Sequence, residues 1–235
     1  LYSATLEGSG LEQWSQTMLS DAIVIKAEPG TKERGKINQY VHFVDDLAHK
    51  RNVLKYLLEQ EDVSHAIIFV KTRDRLMELS AWLQSQDIAH SYLRGEMDQE
   101  KRTAALNLFR NKKVKALIAT DVAARGIDIP AISHVINYDL PRTAEVYVHR
   151  IGRTARAGGK GTALSLVEAH DIVMLDRIQH YTGQPIKARM IDGLRPQHKI
   201  AALPKKKKIK LKKNSPAARK MAKGKAKNAA KKSRK

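Results

Sequence analysis

Three arginines recur at three-residue spacing in this sequence, at Arg150, Arg153 and Arg156. A guanidinium stays charged and can bind two phosphate oxygens at once, so this spacing suits a phosphate group. Gly126 and Asp128 lie upstream, and an acid near a nucleotide commonly accepts hydrogen bonds from a ribose hydroxyl. Exposed arginines more often form ordinary ion pairs, and the spacing alone favours that interpretation.

The elements that must position these residues form an alternating pattern of strands and helices. The predicted strands are 37–44, 65–70, 88–93, 114–119, 134–138 and 162–167, and the predicted helices are 47–58, 73–84, 99–109, 143–152 and 171–180. Strands that alternate with helices of about ten to fifteen residues indicate an α/β fold, a parallel sheet with helices on both faces. Ligands of such sheets bind beyond the carboxyl ends of the strands, where Thr72, Gly95 and Thr120 are expected.

Two segments imitate other motifs. Residues 30–36, GTKERGK, fit the phosphate-loop pattern, but Ile37 stands where Ser or Thr would hold magnesium, and a strand follows instead of a helix. We interpret this segment as a linker. Asp45 and Asp46 imitate a magnesium-binding acid pair, but we interpret them as the end of a strand and the N-cap of the next helix, because Asp favours N-caps.

Two ten-residue blocks, ATDVAARGID (119–128) and HRIGRTARAG (149–158), resemble the fifth and sixth motifs of DEAD-box RNA helicases. Both blocks match nearly letter for letter, in the right order and at the right separation, which is far more specific than one short motif. The resemblance implies the second RecA-like lobe of such a helicase, the helicase C-terminal domain. The lysine runs and few large apolar residues after it predict a disordered basic tail.

The resemblance implies roles for the residues around a nucleotide. Arg153 and Arg156 resemble arginine fingers that reach ATP on the other lobe, and His149 and Arg150 resemble residues that couple this motif to the acidic box of that lobe. The cofactor implied is ATP with Mg²⁺, bound mainly by the first lobe.

Two further residues complete the implied nucleotide contacts. Gly126 would relieve a backbone clash near the nucleotide, and Asp128 would bind its ribose. No metal ligand is assigned to this chain.

The same resemblance implies contacts to the sugar–phosphate backbone of RNA from Thr72, Gly95, Gln99, Arg102 and Thr120. Hydroxyls, backbone amides and Arg suit phosphate oxygens, so such binding would be independent of base sequence. Simpler roles remain open for three of these residues. Gln99 and Arg102 could line a solvated first turn of a helix, and Thr72 could be an N-cap.

The opening of the chain resembles the end of the first lobe. The chain begins at Leu1 inside what resembles a motif, so we expect a longer protein. Ser3 and Thr5 resemble the third helicase motif, which couples the two lobes. The predicted organisation is a remnant of the first lobe in residues 1–29, a linker in 30–36, the helicase C-terminal RecA-like domain in 37–192 and a basic disordered tail in 193–235.

Charge is distributed unevenly along the chain. Of its 44 Lys and Arg, 17 lie from Lys199 onward, where there is no Asp or Glu. Residues 1–198 therefore carry 27 basic and 24 acidic residues, a net charge of +3 out of the total of +20. The tail favours RNA as a partner through counterion release, against a solubilising extension or a nuclear import signal.

Composition excludes several function classes. The chain has no cysteine, which excludes disulfides, thiolate catalysis and cysteine-bound zinc. No apolar run approaches the ~20 residues that span a bilayer and no signal peptide opens the chain, so we expect a cytoplasmic protein without a membrane partner.

The resemblance predicts an ATP-dependent RNA helicase whose two lobes close over ATP and RNA. Segments 1–8, 166–171 and 185–196 resemble one bacterial subfamily, which implies assembly of the large ribosomal subunit and ribosomal RNA as partner. Two alternatives remain: a basic RNA-binding module without enzymatic activity, which is what we expect of the isolated chain, and a DNA-directed helicase.

Overall fold

Seven parallel strands form a single sheet in the computed structural model, which describes residues 17–18, 37–124, 127, 132–155 and 159–198. The strands are β1 (Ile37–Phe43), β2 (Ala66–Val70), β3 (His90–Leu93), β4 (Ala116–Thr120), β5 (His134–Asn137), β6 (Gly161–Val167) and β7 (Lys187–Ala188). The helices between them are α1 (Leu47–Glu59), α2 (Arg73–Ser85), α3 (Gln99–Arg110), α4 (Ala144–Ile151) and α5 (Ile172–Thr182), the last preceded by a 3₁₀ turn, Ala169–Asp171.

The strand order is β3-β4-β2-β5-β6-β1-β7, and every neighbouring pair is parallel. All strands therefore present their carboxyl ends at the same end of the sheet. The predicted RecA-like α/β fold is confirmed.

Alternate residues of each strand pack against helices on opposite faces, as the pleat of a strand dictates. Ile68 of β2 packs with α1 and α2 on one face, whereas Ile67 and Phe69 pack with α3 on the other. Helices α4 and α5 cover the rest of that second face through Tyr147 and Ile178. This burial on both faces explains why β2 is apolar at every position.

Some element boundaries differ from the prediction for identifiable reasons. Strand β3 begins at His90, not at residue 88, because the Ile88 amide donates to Leu83 O at 3.0 Å and so closes α2. The short strand β7 is not predicted from the sequence, since its two residues are both exposed. Asp46 caps α1 as predicted, its Oδ1 accepting from His49 N at 2.8 Å.

Residues 193–198, which the sequence prediction assigns to the tail, pack against the lobe. Leu194 lies against the core cluster of α1 and α2, and Gln197 N donates to a carboxylate oxygen of Asp45 at 2.7 Å. Across the described residues, no helix combines the length and the apolar character that crossing a membrane would require.

Candidate functional site

Three predicted RNA-binding positions lie at the carboxyl ends of three neighbouring strands. Thr72 follows β2, Gly95 follows β3, and Thr120 is the last residue of β4, which lies between those two strands. Neighbouring strands are about 4.8 Å apart, so these positions share one short stretch of the sheet end. The strand order, which the sequence does not reveal, brings them together.

Thr72 is the N-cap of helix α2. Its hydroxyl oxygen accepts from Arg75 N at 3.1 Å, and its backbone is extended, as an N-cap requires. A hydroxyl that accepts one bond still has a proton to donate. The capping role is therefore confirmed, and it is compatible with a contact to a phosphate.

Gly95 lies against an exposed ion pair that the sequence analysis does not single out. Arg73 donates two hydrogen bonds to Glu96, at 2.7 and 2.9 Å, and a Cβ on Gly95 would come within 3.2 Å of the Arg73 guanidinium. The paired arginine lowers the pKa of Glu96, and the carboxylate raises that of Arg73. The absence of a side chain at Gly95 thus leaves room for the Arg73 guanidinium at the end of β3.

Arg102 connects helix α3 to the chain that follows β4. Its Nη2 donates to Ala123 O at 2.8 Å, and the side chain is only partly exposed. This contact does not fit the interpretation of Arg102 as part of a solvated first turn. Gln99, in the same turn, is exposed as that interpretation expects.

Arg150 is a buried residue, only 2% exposed, at the centre of a polar network. Its Nε and Nη2 donate to the two carboxylate oxygens of Asp121 at 2.6 and 2.9 Å. Its Nη1 donates to Asn137 Oδ1 at 3.1 Å and to Asp139 O at 2.6 Å, and the guanidinium lies over the Phe69 ring. Arg150 therefore ties α4 to the ends of β4 and β5 and is not an exposed surface ion.

Lys50 is a second buried cation, which the sequence analysis did not identify. Its ammonium, 1% exposed, donates to Asp139 Oδ1 at 2.9 Å and to Glu168 Oε1 at 2.7 Å. The available signal was a lysine on the apolar face of α1, one turn before Val53 and Leu54. A charge at such a position is rare unless it is paired.

The pKa of Asp139 reflects opposing effects of burial and of nearby hydrogen-bond donors in this network. Burial alone would raise its pKa, but the Lys50 ammonium and the Lys71 amide, which donates to Oδ2 at 3.0 Å, hold it below the ordinary value. Burial likewise acts to lower the pKa of Lys50, and the two acids more than offset it, so that pKa is raised. Asp139 therefore joins Lys50 through its side chain and Arg150 through its carbonyl.

The remaining arginine-motif residues lie at and beyond the end of α4. His149 is exposed, and Arg153 is partly exposed, with its Nη1 3.5 Å from Ile127 O. The other predicted site residues fall outside the described part of the chain: Ser3, Thr5, Gly126, Asp128 and Arg156.

One group of possible metal ligands, Glu168, His170 and Asp171, lies close together in the described residues. Both carboxylates already have cationic partners, since Glu168 pairs with Lys50 and Asp171 pairs with Lys71 at 3.4 Å. Bound lysines compete with a cation for the same oxygens, so we assign no metal to this group.

Comparisons with known proteins agree with this fold. The helicase conserved C-terminal domain matches residues 49–158. The chain is similar to the ATP-dependent RNA helicase SrmB of Escherichia coli, with 51% identity over 197 residues that cover 84% of this chain and 44% of that protein. The chain spans about half the length of the curated relatives it matches.

Two solved structures extend the likeness. The crystal structure of E. coli SrmB bound to the regulator of ribonuclease activity A has a TM-score of 0.70 and 51% identity, covering 72% of this chain and 99% of that one. Saccharomyces cerevisiae Dbp5, bound to RNA and ADP BeF3, has a TM-score of 0.69 and 33% identity, covering 80% of this chain and 50% of that one.

Proposed function

The chain belongs to the DEAD-box family of RNA helicases, of which it forms the C-terminal lobe, and we propose that this lobe works with a first RecA-like lobe to hydrolyse ATP and to unwind or remodel RNA. The observation that carries the proposal is the convergence of Thr72, Gly95 and Thr120 at the carboxyl ends of three neighbouring strands, beside the buried ion pair of Arg150 and Asp121. Parallel α/β sheets bind their ligands at this end.

The RNA partner is held by its backbone. Thr72 has a hydroxyl proton to donate, and Arg102 brings a cation to the segment after β4. Together with Gly95, Gln99 and Thr120, these residues would contact phosphates and sugars and would not recognise base sequence. The RNA-bound Dbp5 structure, similar in fold to this chain, supports this assignment.

The nucleotide partner is ATP with Mg²⁺, held mainly by the first lobe. Arg153 and Arg156 would reach its phosphates, and the buried network around Arg150 fixes the helix that precedes them. ATP supplies the phosphoryl group that is transferred to water, and arginine stabilises charge on that group.

Five further residues would take part in this nucleotide-dependent step. Gly126 and Asp128 would contact the nucleotide itself, with Asp128 accepting from the ribose. Ser3 and Thr5, with His149, would couple the lobes. These roles rest on the motif resemblance, because most of these residues lie outside the described part of the chain.

The working cycle would be closure and reopening of the two lobes. Closure over ATP and one RNA strand bends that strand and releases its complement, and hydrolysis reopens the lobes. We place this activity in the cytoplasm, in assembly of the large ribosomal subunit with ribosomal RNA as substrate. The similarity to SrmB supports that placement.

A second candidate function is a basic RNA-binding module without catalysis. The concentration of 17 cations after residue 198 favours it, since such a segment binds RNA without any nucleotide. The isolated chain also lacks a phosphate loop with its Ser or Thr and a DEAD tetrapeptide.

ATP hydrolysis by the 235-residue chain and by the full-length protein, with single-stranded RNA or DNA of the same sequence, tests these functions. We expect no turnover by the isolated chain and RNA-stimulated turnover by the full-length protein, because hydrolysis of ATP needs residues from both lobes. Full-length protein without RNA-stimulated turnover would favour the non-catalytic module. Equal stimulation by DNA would favour a DNA-directed helicase, since only RNA offers a 2′-hydroxyl.

A further inference from the structure

Asp45 holds the last described residues of the chain against the start of helix α1. Its Oδ2 accepts from Gln197 N at 2.7 Å, and its Oδ1 accepts from His198 N at 3.1 Å. The His198 ring lies 3.1 Å from Oδ1, and His49 Nε2 bonds Leu194 O at 3.0 Å. We call these contacts the Asp45 clamp.

The clamp is not a by-product of helix capping. Asp46, the next residue, accepts the capping bond of α1, so the carboxylate of Asp45 is not needed there. Both oxygens of Asp45 instead accept backbone amides from residues 152 and 153 positions later in the sequence. The Gln197 amide, with further contributions from His198, holds the pKa of Asp45 below its ordinary value, as expected of a carboxylate that accepts such bonds.

The clamp lies at the functional end of the sheet. Asp45 follows the carboxyl end of β1, and the sheet is wholly parallel, so Thr72, Gly95 and Thr120 lie at the same end. The chain continues from His198 directly into Lys199, the first residue of the cation-rich segment 199–235, which we call the basic extension.

We propose that the Asp45 clamp fixes the origin of the basic extension at the carboxyl end of the sheet, so that the extension and the lobe bind the same single strand of RNA. This inference rests on the proposed function, because it takes the carboxyl ends of β2, β3 and β4 as the RNA-binding surface. A segment with 17 cations and no acid suits a polyanion, and the RNA strand is the polyanion that this surface binds.

The dimensions of the sheet permit such joint binding. Five strand intervals separate β1 from β3, a distance of about 24 Å at about 4.8 Å for each interval. Residues 199–208 contain five lysines and, when extended, span up to about 33 Å. The first cations of the extension can therefore reach every candidate RNA position from the clamp.

Release of the clamp would lengthen the segment of chain, or tether, that connects the folded lobe to the first lysines of the extension. Without the Asp45 contacts, the extension would start from Leu194, which packs against the core cluster of α1 and α2 about four residues earlier, and its first lysines would sample a larger volume. The effective concentration of a tethered group falls with the length of its tether, so the first lysines would contribute less to binding.

The test is binding of a single-stranded RNA of about eight nucleotides, short enough to engage only neighbouring cations, to the 235-residue chain at moderate salt. Asp45→Ala removes one negative charge, which by charge alone would tighten binding. We expect it instead to weaken binding by at least about threefold, because the tether lengthens. Gln197→Pro, which removes the 2.7 Å amide donor without a change of charge, should weaken binding in the same direction.

Asp192→Ala is the matched control, since it removes one acid from the same segment but that acid pairs only locally, with Arg195. It should bind RNA as tightly as the wild type or slightly more tightly. In a chain that ends at His198, Asp45→Ala should bind RNA as tightly as the wild type or slightly more tightly, because no extension remains to be placed and one negative charge is removed.

The outcomes distinguish failure of the inference about the clamp from failure of the proposed function. If Asp45→Ala and Gln197→Pro bind RNA as tightly as Asp192→Ala while deletion of the extension weakens binding, the inference is wrong and the proposed function stands. If the wild-type chain binds the short RNA no better with the extension than without it, the inference is wrong as well. If neither the 235-residue chain nor the chain that ends at His198 binds RNA, the inference is wrong, whereas the proposed function fails only if the full-length protein also lacks RNA-stimulated ATP hydrolysis.

Discussion

Arg150 and Asp121 form a two-bond ion pair, with Nε–Oδ1 at 2.6 Å and Nη2–Oδ2 at 2.9 Å, that joins helix α4 to the end of strand β4. The two residues belong to the two blocks that resemble helicase motifs, 119–128 and 149–158. One ion pair therefore links the block that contains the arginine motif to the block that contains the predicted nucleotide contacts.

Arg150→Met should lower the free energy of unfolding of the 235-residue chain by about 3 to 5 kcal/mol, because it leaves the Asp121 charge and two buried oxygens without their donor. Urea unfolding measures the change. Arg142→Met, at an exposed arginine close to α4, is the control and should change stability by no more than about 0.5 kcal/mol. A similar small loss for Arg150→Met would contradict the structural role of the pair.

Lys50 and Asp139 should be strongly coupled in stability. Lys50→Met leaves two acids without their shared cation, and Asp139→Asn removes the acid that Lys50 and the Lys71 amide both bind. Because each single change disrupts the same contact, the double variant should be more stable than the sum of the single effects predicts, by about 1 kcal/mol or more. A double-mutant cycle from urea unfolding gives this coupling energy, and additivity would refute it.

Thr72→Asp separates helix capping from RNA binding. Asp caps a helix at least as well as Thr and its charge favours a helix N-terminus, so the melting temperature should stay the same or rise. The same charge repels a phosphate, so affinity for single-stranded RNA should fall. Thr143→Asp, at the N-cap of α4, introduces the same charge and is the matched control. Equal losses of affinity in both variants would show that Thr72 is a cap only.

His42 should make the lobe less stable in mild acid. Burial, aided by the Arg189 guanidinium, lowers its pKa to about 4. An unfolded histidine has a pKa of about 6.5, so between these values the unfolded chain binds a proton that the folded chain does not. The stabilisation is complete above about pH 6.5 and decreases as the pH falls toward 4, by about 2 kcal/mol at pH 5.

His42→Gln should therefore flatten the dependence of the urea midpoint on pH between 5 and 7. Some dependence should remain, because burial also lowers the pKa of His65 and His134. Identical pH profiles for wild type and His42→Gln would contradict the assignment.

The sequence predicts the fold well because the patterns that indicate each helix and strand involve residues close together in the chain. The apolar stripe of α1, the Asp46 cap and the apolar runs of β2 and β4 each follow from residues a few positions apart. The alternation of strands and helices also predicts the end of the sheet at which the candidate site lies.

The residues that sequence reasoning missed depend on partners far along the chain. Lys50 is buried because its ammonium pairs with Asp139 and Glu168, which lie 89 and 118 residues later in the sequence. Gln197 is held by Asp45, which lies 152 residues earlier. Arg150 was identified as important, but its buried partners were not, since their convergence depends on strand order. Periodicity and motif spacing contain no information about such pairs.

The measurement that tests the central claim most directly is RNA-stimulated ATP hydrolysis by the full-length protein with Arg156→Ala, beside Arg153→Ala and the control Arg142→Ala. If this lobe supplies arginines to the transferred phosphoryl group, Arg156→Ala should lower turnover by about 10³-fold or more while the affinity for ATP stays nearly the same. The control should hydrolyse ATP at the wild-type rate. Wild-type turnover by Arg156→Ala and Arg153→Ala would contradict the account.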